Sequence, residues 1–217
     1  MKGLLIKDIK LMKNMIRLVG IIIIFSVVFS TLGENIFFSM GYVSVFVAIL
    51  SITSINYDEY DNGFAYLFTF PFERKQYVQE KYVFGIGLIF IGITISGIIS
   101  FAISQLTGTK VTAEEWVAVT VASISVAFFM IAVVLPAHIK YGGEKGRIAM
   151  VILFLGMGII AYGIYGLSEM IGFDIESKLD ALFYSPVKMM MTAGGVSVIV
   201  LAVSYVISVG IIEKKEF

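Results

Sequence analysis

The sequence predicts an all-α polytopic membrane protein: a six-helix transmembrane bundle with an N-terminal amphipathic helix and a short cytoplasmic helix, in one domain over residues 1–217. Three observations predict it. Of 217 residues, 59% are hydrophobic and 15% charged, and the mean hydropathy is +0.95, so too little polar surface remains to face water on every side. Six apolar runs match the roughly 20 residues that cross a hydrocarbon core of about 30 Å; they lie at about 17–33, 36–56, 82–105, 116–137, 148–168 and 188–212. Finally, Lys and Arg alternate between the connections. Thirteen of the sixteen fall at the N-terminus, in 57–82, in 138–147 and in the tail, and only Lys110, Lys178 and Lys188 fall on the other side. Positive connections stay cytoplasmic, so both termini are expected inside the cell.

The opening MKGLLIKDIKLMKNMIR sets Lys7, Lys10, Asn14 and Arg17 at helical spacing on one side, with Leu4, Ile9, Leu11, Met12 and Met15 around the rest of the turn. This predicts a basic amphipathic helix on the inner leaflet. The apolar run that follows ends without a small-residue cleavage site, so it is expected to be retained as a helix and not removed as a signal peptide.

Between the second and third spans stands YDEYDNGFAYLFTFPFERKQYVQEKY, residues 57–82, the most charged and aromatic stretch of the chain. Asp58, Glu59 and Asp61 sit where carboxylates would cap a short helix through about Phe68. Pro71 restarts the chain, and Glu73 to Lys81 extends the third helix out of the membrane with Arg74, Lys75 and Lys81 on it. A mere connector rarely needs such a mixture, whereas a helix seated in a partner's groove uses apolar anchors with charged rims. The stretch is therefore expected to be a docking knob built on Asp58, Glu59, Asp61, Phe64, Tyr66, Leu67 and Pro71.

No Asp, Glu, Lys, Arg or His lies clearly within the membrane core of the drawn spans, Arg17 and Lys188 standing at their edges, which argues against ion-coupled carriage and against a charged selectivity ring. Small residues form stripes instead, with Gly92, Ser96, Ser100 and Ser104 at every fourth position of the third span. Ala118 and Ala122 do the same in the fourth, Gly156, Gly158, Gly163 and Gly166 mark the fifth, and Gly194, Gly195, Ser204 and Ser208 the sixth. Such stripes let helices approach closely. Glu114 and Glu115 open the fourth span as N-terminal carboxylates. Paired glutamates also serve one family of intramembrane proteases, but that chemistry needs two His and the chain has only His138. The outer segment 169–187 predicts a helix capped by Asp174 and running through about Tyr184, with Ser185 and Pro186 starting the last span.

The absence of Cys removes disulfides and thiolate metal sites, and a net charge of zero gives no reason to expect nucleic acid as a partner. GGEKGR at 142–147 lacks the spacing and the Ser or Thr of a phosphate-binding loop. Energy for active work is thus expected from another chain.

The chain resembles the type-2 ATP-binding-cassette permease family. The resemblance is carried by Asp58-Glu59 at the end of the second span, Phe70-Pro71, Arg74, and Lys81-Tyr82 entering the third. LPAHIKYGGEKGR at 135–147 is similar to the family's basic, Gly-containing turn, and the opening MKGLLIKDIKLMK adds a third match. Phe70 departs from the Leu more usual there. Within the family the chain looks most like the small permease subunits of phenol-soluble modulin exporters.

The resemblance implies a bacterial cell-membrane permease with no catalytic residues, cofactor or metal of its own. It implies a separate ATPase subunit carrying ATP and Mg, and pairing as a homodimer or as a heterodimer with a related permease. It also implies coupling of the ATPase to residues 57–82 and to the second cytoplasmic turn with Lys140, Lys145 and Arg147. The lack of charge in the spans adds an expected cargo that is hydrophobic or amphipathic, peptides foremost, moving among membrane lipids. An alternative is a membrane immunity or sensor protein that binds and clears toxic peptides.

Overall fold

A computed structural model describes residues 2–32, 35–60, 63–171 and 186–215. The predicted outer helix at 169–187 falls mostly outside these residues, as does Asp61. The regular elements of the described residues are all helices: α1 Lys2–Asn14, α2 Ile16–Leu32, α3 Phe38–Glu59, α4 Gly63–Leu67, α5 Arg74–Thr107, α6 Ala113–Ile171 and α7 Pro186–Lys214.

Among the described residues four helices are long and apolar enough to cross a membrane, and the pair α1–α2, bent by 63°, supplies a fifth. At 59 residues α6 is far too long for one crossing. Its continuity is broken at Gly142, where φ is +81° and ψ −175°, a backbone state that only glycine adopts without strain. The two arms, α6a (113–141) and α6b (143–171), fold back on each other. Gly146 lies so close to His138 that an added Cβ would stand 2.7 Å from its Nδ1, although eight residues of straight helix would separate them by about 12 Å. The six apolar runs of the sequence thus fall on α2, α3, α5, α6a, α6b and α7.

The core is built from α3, α5, α6a and α7, around Met40, Ala48, Ile55, Tyr77, Ile89, Ile131, Leu135 and Ile212. Lipid supplies no hydrophobic drive between helices, so close approach and hydroxyl bonds hold them. Gly92 faces Val47, whose Cγ2 would be 2.8 Å from an added Cβ. Ser39 and Ser100 share a buried bond of 2.6 Å across α3 and α5. Tyr82 reaches Ser204 at 2.6 Å and Ser208 at 2.9 Å on α7, and Ser204 donates in turn to the Ala132 carbonyl at 2.5 Å. The stripe on α5 therefore packs as its spacing predicts. Glu115 and Thr112 exchange bonds of 2.8 and 3.3 Å at the start of α6, a capping box that gives the acid the helix-terminal role expected of it.

Candidate functional site

The stretch 57–82 is mostly helix ends and not a long loop, because α3 runs on to Glu59 and α5 starts at Arg74. What remains is the single turn α4, extended by a bond from the Phe68 N–H to the Phe64 carbonyl at 3.0 Å, and a short return through Pro71.

Beneath this turn sits a buried ionic cluster. The Lys81 ammonium lies 2.5 Å from Asp8 Oδ2 and 2.7 Å from Asp58 Oδ2, and donates to Ser54 Oγ at 3.0 Å. Lys7 bridges Asp8 at 3.1 Å and also pairs with Asp58. The Tyr77 hydroxyl donates to Asp58 at 3.2 Å, and Glu80 lies 3.6 Å from Lys81. The side chains of Lys81, Asp8 and Glu80 are fully buried. Burial alone would raise the Asp8 carboxyl, but the ammonium groups of Lys81 and Lys7 outweigh it and hold the acid below its ordinary range. Charges taken from water this way remain only while each keeps its partner. The cluster therefore fastens α1 to the ends of α3 and α5.

Glu59 points the other way. Its carboxylate accepts from the Gly143 N–H, one of the unpaired donors at the start of α6b, and it fills the space a side chain on Gly142 would occupy. Arg74 donates through Nη1 to the carbonyls of Ile212, Glu213 and Lys215 at 3.2, 3.0 and 2.7 Å, closing the C-terminal end of α7 with a cation where the helix dipole favours one. Lys215 donates to the Ile139 carbonyl at 2.8 Å and lies 5.0 Å from the Phe64 ring centre. Burial pulls its ammonium below the usual lysine range, with Glu59 opposing.

These contacts correct part of the docking-knob expectation. Asp58, Phe64 and Lys81 are buried inside the chain, and Glu59 and Arg74 are engaged within it, so none of these five is a free rim or anchor for a partner. Phe64 packs edge-on to Tyr77, with ring centres 5.8 Å apart, and holds the turn down. What faces outward is an aromatic edge: Tyr60 and Tyr66 are 74% and 70% exposed, and Phe70, Pro71 and Lys75 are exposed beside them, with Leu67 half-buried. Tyr66 and Phe70 stack edge to face at 5.4 Å. Lys140, Lys145 and Arg147 are exposed around the Gly142 break. Between the two features lies a polar recess of about 560 Å3, lined by Asn56, Glu59, Tyr60, Glu144, Lys145 and Arg147.

Asp8, Ser54, Tyr77 and Glu80 belong to this arrangement and were not singled out in the sequence. Asp8 carried a signal: it is the only acid among the first 33 residues, set inside an otherwise basic helix. Mechanically, the cluster and the Glu59 bond join α1, α3, α5 and the hairpin turn of α6 at one end of the bundle, with the aromatic edge projecting from it.

Residues 3–213 match the family model described as ABC-2 family transporter protein. Comparison with curated proteins and with solved structures returned no match. With a family match over nearly its whole length and apolar helices enough for several crossings, the chain belongs to the ABC-2 transporter family, as a multi-pass membrane permease of an ABC transporter.

Proposed function

We propose that this permease is the membrane half of an ATP-driven exporter in a bacterial cell membrane, with both termini cytoplasmic. A separate ATPase, carrying ATP and Mg, seats beneath the aromatic edge and the Gly142 turn. Its closure pushes on α4, and the push reaches α3 and α5 through the ionic cluster and α6b through Glu59. The cargo is hydrophobic or amphipathic, an amphipathic peptide foremost, because the apolar runs offer a charged solute no compensating group.

Two copies, or one copy with a related permease, enclose the path. The face of α6b turned away from α6a supports pairing there: Val151, Tyr162 and Tyr165 are exposed, and Gly158 between them meets no other atom within 4 Å of an added Cβ.

The observation that carries this reading is an exposed aromatic edge on a buried ionic base, since a rigid mount is what transmits force. The test is copurification of the ATPase with Tyr66→Asp/Phe70→Asp. Loss of the ATPase with the permease still inserted is the expected result, and full retention would remove the coupling role from this edge. In proteoliposomes with the ATPase, amphipathic helical peptides should stimulate ATP hydrolysis more than sugars or amino acids do.

A further inference from the structure

A second cleft lies on the opposite side of the hairpin from the α6b face just described. It runs between α6a, α6b and the end of α7 and has a volume of about 720 Å3. Its walls are apolar, with Ala137 from α6a, Ile148, Ile152 and Leu153 from α6b, and Ile207 from α7. The charged groups lining it are Lys140 and Lys145, and both sit at one end, flanking the break at Gly142. Both are exposed. Neither lies within ion-pair distance of a carboxylate among the described residues, and Lys140 rests 4.9 Å from the ring centre of Tyr141.

The cleft is therefore amphipathic along its length. Two cations stand at its head, and from Lys145 the wall continues to Met157, about 18 Å at 1.5 Å per residue. That is close to one leaflet of a hydrocarbon core of about 30 Å. An acyl chain is narrow and asks no hydrogen bonds of the apolar walls, and the two lysines at the head complement a phosphate in charge. Basic pockets between transmembrane helices recognise anionic headgroups by charge.

We propose that this cleft binds an anionic phospholipid, with its phosphate between Lys140 and Lys145 and one acyl chain along Ile148, Ile152 and Ile207. The two lysines then serve a resident lipid and brace the hairpin through it. The proposal does not depend on the direction of transport or on the ATPase.

The test uses the full chain in nanodiscs of equal parts phosphatidylglycerol and phosphatidylcholine, followed by native mass spectrometry of the lipid retained after extraction. The wild type should retain phosphatidylglycerol over phosphatidylcholine by a factor on the order of ten. Lys140→Gln/Lys145→Gln should bring the ratio to about one, while Lys110→Gln/Lys214→Gln, which removes equal charge from exposed positions elsewhere, should leave it unchanged. Ile152→Trp, which keeps both lysines and fills the slot, should lose retained lipid of either kind. The proposal is overturned if the wild type shows no preference, or if the Lys140/Lys145 variant keeps it. Competition by glycerol phosphate without acyl chains would also overturn it, as would oxidative crosslinking of Ile152→Cys between two copies, which would put the second copy in the cleft.

Discussion

The two arms of α6 are written in the same alphabet and live in different surroundings. In α6a, Ala127, Ile131, Val134, Leu135 and Ile139 are fully buried, whereas in α6b Ile152, Leu155, Ile159 and Ile160 are all more than half exposed. Glycines tell the same story. Gly85 and Gly92 on α5 press against Ile131 and Val47, while Gly156, Gly158, Gly163 and Gly166 on α6b meet nothing within 4 Å. The difference teaches that hydrophobicity does not choose a membrane helix's place, because lipid tails are as apolar as leucine. Small polar joints choose it. Ser204 bonds the Ala132 carbonyl across helices, whereas Ser168 on α6b bonds the Tyr165 carbonyl of its own helix.

The comparison can be broken most strongly from the inner arm. Ile131→Ala should cost about 3 kcal/mol, the usual loss for a well-packed aliphatic side chain, read as an earlier midpoint in dodecyl sulfate titration. Next comes the joint between the arms. Gly142→Ala puts a side chain into a glycine-only backbone state and against Glu59, and should cost about 2 kcal/mol, seen as a lower melting temperature and faster proteolysis between residues 138 and 147. Tyr82→Phe removes a hydroxyl shared with Ser204 and Ser208 on the helix that holds α6a. It should cost about 1 kcal/mol, with monomer secondary structure by circular dichroism unchanged. Smallest for the fold is Ile159→Ala on the outer arm, expected within about 0.5 kcal/mol of wild type. Gly158→Leu should likewise leave the melt unmoved while lowering the crosslinked dimer fraction. A cost at Ile159 matching that at Ile131 would erase the distinction between the arms.

Much of this organisation was legible in the residues. The apolar runs fall on helices, Glu115 caps where a first-turn acid should, and the α5 stripe of Gly92, Ser96 and Ser100 packs inward. Which arm of α6 is central was not legible, since core-facing and lipid-facing positions are both apolar and leave no amphipathic pattern to read. The ionic base was missed for a different reason. Asp8 meets Lys81 across 73 positions of sequence, and helical spacing within α1 sees only neighbours three or four residues away. The same limit hides the inward roles of Asp58 and Arg74, because a charge near an aromatic stretch looks like a rim until its distant partner is known.

Arg74 carries one more consequence, and it concerns time. Its three carbonyl partners belong to residues 212–215, some 138 or more positions later in the chain. A ribosome makes those residues long after Arg74, as the end of α7 itself is completed. Until then Arg74 has no end of α7 to hold, and the aromatic edge beside it lacks this anchor. A chain cut before residue 212 would carry most of α7 without the carbonyls that hold Arg74 in place.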